Sequence, residues 1–156
     1  MCRRKKNQMM SSKDIILRRA VAESIEIDQL PGMMKDPSWL VRSMVAERID
    51  PAWLPKMMLD ENWTVRYQVA FRVSVDRLPE MMGDPTPLIR RSVAIRLPLE
   101  KLPEMMLDED PWVRWEVVKR IPIRFLCSML VVETNTLVAQ AIRSKLLANG
   151  STSLGS

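Results

Sequence analysis

Four aspartates recur at a step of 24 residues, Asp36, Asp60, Asp84 and Asp108, and each is followed six positions later by an arginine: Arg42, Arg66, Arg90 or Arg114. Carboxylates in regular series raise the question of acid–base or metal chemistry. The remaining inventory argues against it. The chain has 156 residues and no histidine, which removes the commonest general base, the commonest zinc ligand and every histidine-containing triad. It has four glycines and no glycine-rich phosphate loop. A catalytic acid should also break the repeat, and no carboxylate stands out in that way. The expectation is a protein that is not an enzyme, with no metal, cofactor or small-molecule substrate. In it, the Asp and Arg columns form interleaved ion-pair ladders between neighbouring units.

The elements that must hold these columns follow from the same period. LPGMMKDPSWLVRSMV begins at Leu30, LPKMMLDENWTVRYQV at Leu54, LPEMMGDPTPLIRRSV at Leu78 and LPEMMLDEDPWVRWEV at Leu102. A leucine column runs through Leu30, Leu54, Leu78, Leu102 and Leu126. A proline column follows it and ends at Cys127; the acidic column is broken at Val132. A second arginine column, Arg48, Arg72, Arg96 and Arg120, closes each unit. Apolar residues at Val41, Val45, Ala46 and Ile49 have the spacing of one helical face, so a helix is expected over about 38–48. Asp36 with Pro37 supplies its start signal. Pro55 and its equivalents fit the first turn of a helix and no interior position, and about five residues separate each from the next aspartate. That leaves one tight, 3₁₀-like turn. A unit of 24 is too short for the two helices of HEAT, armadillo or TPR repeats, which take roughly 34 to 47 residues. The strand signature of ordinary leucine-rich repeats is missing, with a proline where a strand would start.

LP-x-MM-x-D followed by VR-x-x-VA-x-R on this period resembles the leucine-rich repeat variant family. The resemblance implies an all-α, right-handed solenoid of alternating α- and short 3₁₀-helices, HEAT/armadillo-like and without β-sheet. The repeats are expected to run over residues 14–147 as one domain, between a basic, flexible tail at 1–13 and a flexible tail at 148–156. Some relatives carry an N-terminal cysteine cluster that binds a [4Fe–4S] centre. This chain has Cys2 and Cys127 alone, too few thiolates for such a cluster, so no cofactor is expected.

The net charge of +5 points toward nucleic acid until it is located. Arg3, Arg4, Lys5, Lys6 and Lys13 all precede the first acid, Asp14, so residues 14–156 carry no net charge. The 13 methionines mostly hold the turn columns and read as core filler. There is no apolar run of membrane-spanning length and no signal-peptide pattern, and two isolated cysteines suit a reducing compartment; the expected location is cytoplasmic, away from membranes.

Repeat proteins vary the surface columns that touch a partner. The most variable columns begin at Leu40, Ser43, Met44 and Glu47, spaced as one helix face. In later units they hold Tyr67, Phe71, Arg91, Ile95, Trp112 and Trp115. Aromatics with an arginine dominate interface hot spots. The expected function is a non-catalytic scaffold that binds another protein through these six residues. Trp39 and Trp63 share a column at the helix start and read as structural. The alternative is a nucleic-acid-binding solenoid that uses the Arg columns and the basic tail.

Overall fold

Two polar residues build each helix start. In the computed structural model, which describes residues 8–150, Asp36 accepts the backbone N–H of Ser38 at 2.8 Å. Asp60 accepts that of Asn62, Asp84 that of Thr86 and Asp108 that of Asp110. The donor in each case is the N-cap residue, so the aspartate shapes the turn and its neighbour opens the helix. Asn62 and Asp110 also accept first-turn N–H groups through their side chains. The resulting helices are α1 (Ile15–Ser24), α2 (Trp39–Arg48), α3 (Trp63–Arg72), α4 (Pro87–Arg96) and α5 (Pro111–Arg120), ten residues each. They stop where Ile49, Val73, Leu97 and Ile121 leave the helical region, with ψ of 141–152°.

The turns are 3₁₀-helices: η1 (Ile27–Met33), η2 (Pro51–Met57), η3 (Val75–Met81), η4 (Leu102–Met105) and η5 (Ile123–Phe125). Only in η4 does the proline sit in the first turn as expected. Pro31, Pro55 and Pro79 lie inside seven-residue elements. A 3₁₀-helix loses one i→i+3 bond at a proline, and the carbonyls of Pro31 and Pro79 still accept from Met34 and Met82. Among the described residues there is no strand.

The backbone divides into two compact units, one up to Arg77 and one from Leu78. In the first, α1, α2 and α3 pack side by side in chain order, with η1 against α2 and η2 against α3. Val45, Ile49, Leu54 and Val69 are fully buried, as are the small Ala22, Ala46 and Ala70. Each such valine or leucine contributes about 1.5–3 kcal/mol by leaving water. In the second unit α4 packs on α5, and α5 on the last helix, α7 (Thr136–Gly150), around Ile89, Val93, Leu102, Val117, Leu126 and Ile142. Met33, Met57, Met81, Met105 and Met129 are buried, in keeping with their role as filler.

The fifth unit departs from the expected turn. Cys127 stands where the earlier units have proline, so its N–H is available and the i→i+4 ladder can continue. The chain forms α6 (Leu126–Val132), an α-helix, where its predecessors have 3₁₀. As for the ends, residues 1–7 and 151–156 of the expected tails lie outside the described residues; 8–10 form a helical turn, and α7 continues to Gly150.

A candidate protein-binding helix face

The first arginine column is engaged from both sides. Arg42 Nε donates to Asp60 Oδ2 at 2.7 Å and Nη2 to Oδ1 at 2.9 Å, while Nη1 donates to the carbonyl of Asp36 at 2.8 Å. Arg18 makes the same two-pronged contact with Asp36, and Arg90 with Asp108. The two-pronged carboxylate partner is thus the aspartate of the following unit, 18 residues on, joined for Arg42 and Arg90 by the exposed Glu61 and Glu109 next to it, and the unit's own aspartate supplies only its backbone oxygen. The hydrogen bond to the carboxylate, against the opposing pull of burial, holds Arg18, Arg42 and Arg90 even more firmly protonated than a free arginine. Arg114 finds Glu133 at 2.6 and 2.7 Å, although the acidic column reads valine at 132.

The second column caps helices. A helix leaves its last carbonyls without internal donors. Arg48 donates to the carbonyls of Ala22 and Ile25, Arg72 to that of Ala46 and Arg120 to that of Ala94. Lys145 continues the series on the carbonyls of Val118, Lys119 and Ile121. Burial pulls the Lys145 ammonium below the usual lysine range.

The six face residues fall into two groups. In the first unit Tyr67 is half-buried and Phe71 is 63% exposed, with ring centroids 6.5 Å apart. In the second unit Ile95 is 49% and Trp112 53% exposed. Trp115 departs from the expectation of an exposed side chain: it is half-buried, edge-on to Trp112 at 6.5 Å, and lines a small hollow with Pro111, Asn135, Leu137 and Val138. Trp112 also walls a larger open hollow of about 320 Å³, with Pro87, Leu88, Arg91 and Asp110. Trp39 and Trp63, read as structural, are both partly exposed.

Arg91 is not free to meet a partner with its whole guanidinium. Its Nε and Nη2 donate to Glu116 Oε1 at 3.0 and 2.8 Å, and Lys119 pairs with Oε2 of the same carboxylate. Glu116 is 2% exposed. Burial pushes its carboxyl up, but the hydrogen bonds from Lys119 and Arg91 outweigh burial and hold it below the usual carboxylate range. This is an acid that does break the repeat; its column otherwise holds Met44, Gln68 and Ser92. Both oxygens are spent on cations and shielded from solvent, so it is a poor proton donor at neutral pH. Two exposed surfaces escaped the sequence reading. Leu137 extends the face onto α7, one position out of register. Leu59 in the first unit and Leu107 in the second expose apolar side chains on the turns, and Val131 exposes one on α6.

Cys127 is exposed, Cys2 lies outside the described residues, and no three potential ligands come together among the described residues. No helix among the described residues is long and apolar enough to cross a membrane.

No family model and no curated protein matches the sequence. Among solved structures, the chain is similar to one described as a leucine-rich repeat variant with a novel repetitive protein structural motif, at 34% identity and a TM-score of 0.85. The match covers 92% of this chain and 60% of that one, so the chain spans about three fifths of the length of the protein it matches.

Proposed function

This chain belongs to the leucine-rich repeat variant family, and on that premise we propose that it is a non-catalytic scaffold that binds another protein through its variable helix face. Its fold is that of a helical-repeat solenoid, a class in which the scaffold columns hold the stack and the variable columns meet partners. The contact groups are Tyr67 and Phe71 in the first unit and Arg91, Ile95, Trp112 and Trp115 in the second. The observation that carries the reading is the exposure of Phe71, Ile95 and Trp112 on helices whose opposite faces are fully buried. Large apolar side chains exposed on a helix face, as Phe71 is in the first unit and Ile95 and Trp112 are in the second, mark interaction sites. Hot-spot composition supports the same reading.

The nucleic-acid alternative draws less support. Arg18, Arg42 and Arg90 are buried against carboxylates, and Arg48, Arg72 and Arg120 donate to backbone carbonyls. A phosphate would have to displace those partners. A photo-crosslinking residue at Trp112, compared with one at Leu107 on the turns, tests the proposal in the native host. A discrete crosslinked protein from Trp112 alone supports it. Crosslinks from Leu107 alone, or from neither position, overturn it.

A further inference from the structure

We propose that the face of the second unit receives an acidic peptide segment, with an apolar side chain against Trp112 and a carboxylate one to two helical turns away, on Arg91 and Lys119. The inference rests on reading this face as a protein-binding surface, and adds the chemistry of the partner. Along α4, α5 and α7 the first level of the face is apolar: Leu88, Trp112 and Leu137 are 42%, 53% and 52% exposed. One turn further, about 5.4 Å along the axis, the level of Arg91 and Trp115 begins, and Lys119 lies another turn on.

Beyond the apolar level the charge is layered. The side chains of Arg91 and Lys119 are 42% and 52% exposed, while the carboxylate they share is 2% exposed. A partner approaching from solvent therefore meets two cations, with their compensating charge behind them. Their donors are also only part-used. Arg91 spends Nε and Nη2 on Glu116, and Nη1 makes no hydrogen bond among the described residues. Lys119 has three N–H donors and pairs with one oxygen. A carboxylate can take these donors in charge-assisted hydrogen bonds without disturbing Glu116.

Asp110, which lines the Trp112 hollow, sets the polarity of binding. Its Oδ1 accepts the N–H groups of Trp112 and Val113 at the start of α5, so it is committed as a helix cap. It opposes an acid at the Trp112 level and admits one at the Arg91 level. The matching positions of α2 and α3 carry no lysine or arginine, and one acid, Glu47. The preference for acidic segments is accordingly a property of the second unit's face.

The test uses a displayed library of random peptides, selected on the intact protein. Enriched peptides should pair an aromatic or aliphatic residue with Asp or Glu. Their binding should weaken with added salt and fall about tenfold on Arg91→Gln or Lys119→Gln. Lys119→Gln keeps the Arg91–Glu116 pair intact, so it serves as the control if Arg91→Gln fails to fold. Neutral or basic peptides whose binding is lost on Trp112→Ala would overturn this inference while leaving the scaffold reading in place. Peptides indifferent to Trp112→Ala, or no enrichment at all, would overturn both.

Discussion

Arg114 and Glu133 form a two-pronged ion pair across 19 residues, where the equivalent pairs Arg18–Asp36, Arg42–Asp60 and Arg90–Asp108 span 18. The extra residue enters where α6 replaces a 3₁₀ turn, and the glutamate's longer side chain still reaches the arginine. Glu133 keeps the second duty of its column as well, accepting the N–H of Asn135 at 2.7 Å before α7. The hydrogen bond from Arg114 holds its carboxyl below the usual range, against the upward push of burial.

A group whose carboxyl is depressed in the folded state contributes stability above the unfolded value, about 4.3 for glutamate, and loses it as pH falls through the folded value. Urea unfolding of the wild type should therefore show stability declining as pH drops below about 4.3. Glu133→Gln should be less stable at pH 7 and should decline less steeply in the same window. Equal slopes for the two proteins would mean that the Arg114 pair does not couple to folding.

The Asp columns carry both a turn and an ion pair, and these can be separated at Asp108. Asp108→Asn keeps an oxygen for the N–H of Asp110 but gives up the charge facing Arg90. Asp108→Ala removes both and leaves a guanidinium, its side chain 7% exposed, with Glu109 and the Asp84 carbonyl as its remaining partners. The alanine variant should lose about 3 kcal/mol, with the asparagine variant between it and wild type. A double-mutant cycle with Arg90→Ala should recover a coupling of at least about 1 kcal/mol. Additive losses would assign the aspartate to the turn alone.

The fold was legible because each column answers one physical need that recurs unchanged. A buried Val at 45, 69 and 93, and in four units an Asp before the cap and a Pro in the turn, keep their meaning from unit to unit. The ladder was legible in kind for the same reason. What escaped were features set by a single local event. Replacing proline by Cys127 lengthens one turn, and only in three dimensions does Glu133 then fall into the place of an aspartate at 132. Glu116 carries no mark of its own in the sequence, since its ion pairs depend on Arg91 of the adjacent helix and on Lys119, one turn further along its own. Trp115 looked exposed for a related reason: Leu137 and Val138, which line one hollow with it, sit one position out of register.

The position of the excess charge yields a prediction about nucleic acid. Residues 14–156 carry no net charge, and the described Arg–Asp pairs are internal to the fold. Any retention on mixed-sequence DNA at low salt should therefore vanish when Arg3, Arg4, Lys5 and Lys6 are changed to glutamine. Binding that survives these changes and weakens steeply with salt would require a phosphate site on the repeats.

The two tryptophans of α5 separate packing from recognition. Trp112 is 53% exposed and stands between two hollows, so its removal uncovers little that was dry. Trp112→Ala should change unfolding free energy by less than about 0.5 kcal/mol, the usual range for a surface substitution. Trp115 is half-buried, and its truncation widens the hollow that it lines with Pro111, Leu137 and Val138. Trp115→Ala should cost more than Trp112→Ala. It should cost less than a full core truncation such as Val117→Ala, which leaves a cavity at a fully buried site worth about 2 kcal/mol. Against a captured partner the order should reverse, with Trp112→Ala losing about 2 kcal/mol or more. If Trp112→Ala destabilises the fold as much as Trp115→Ala, both indoles are packing groups, and the helix face loses its claim as the binding surface.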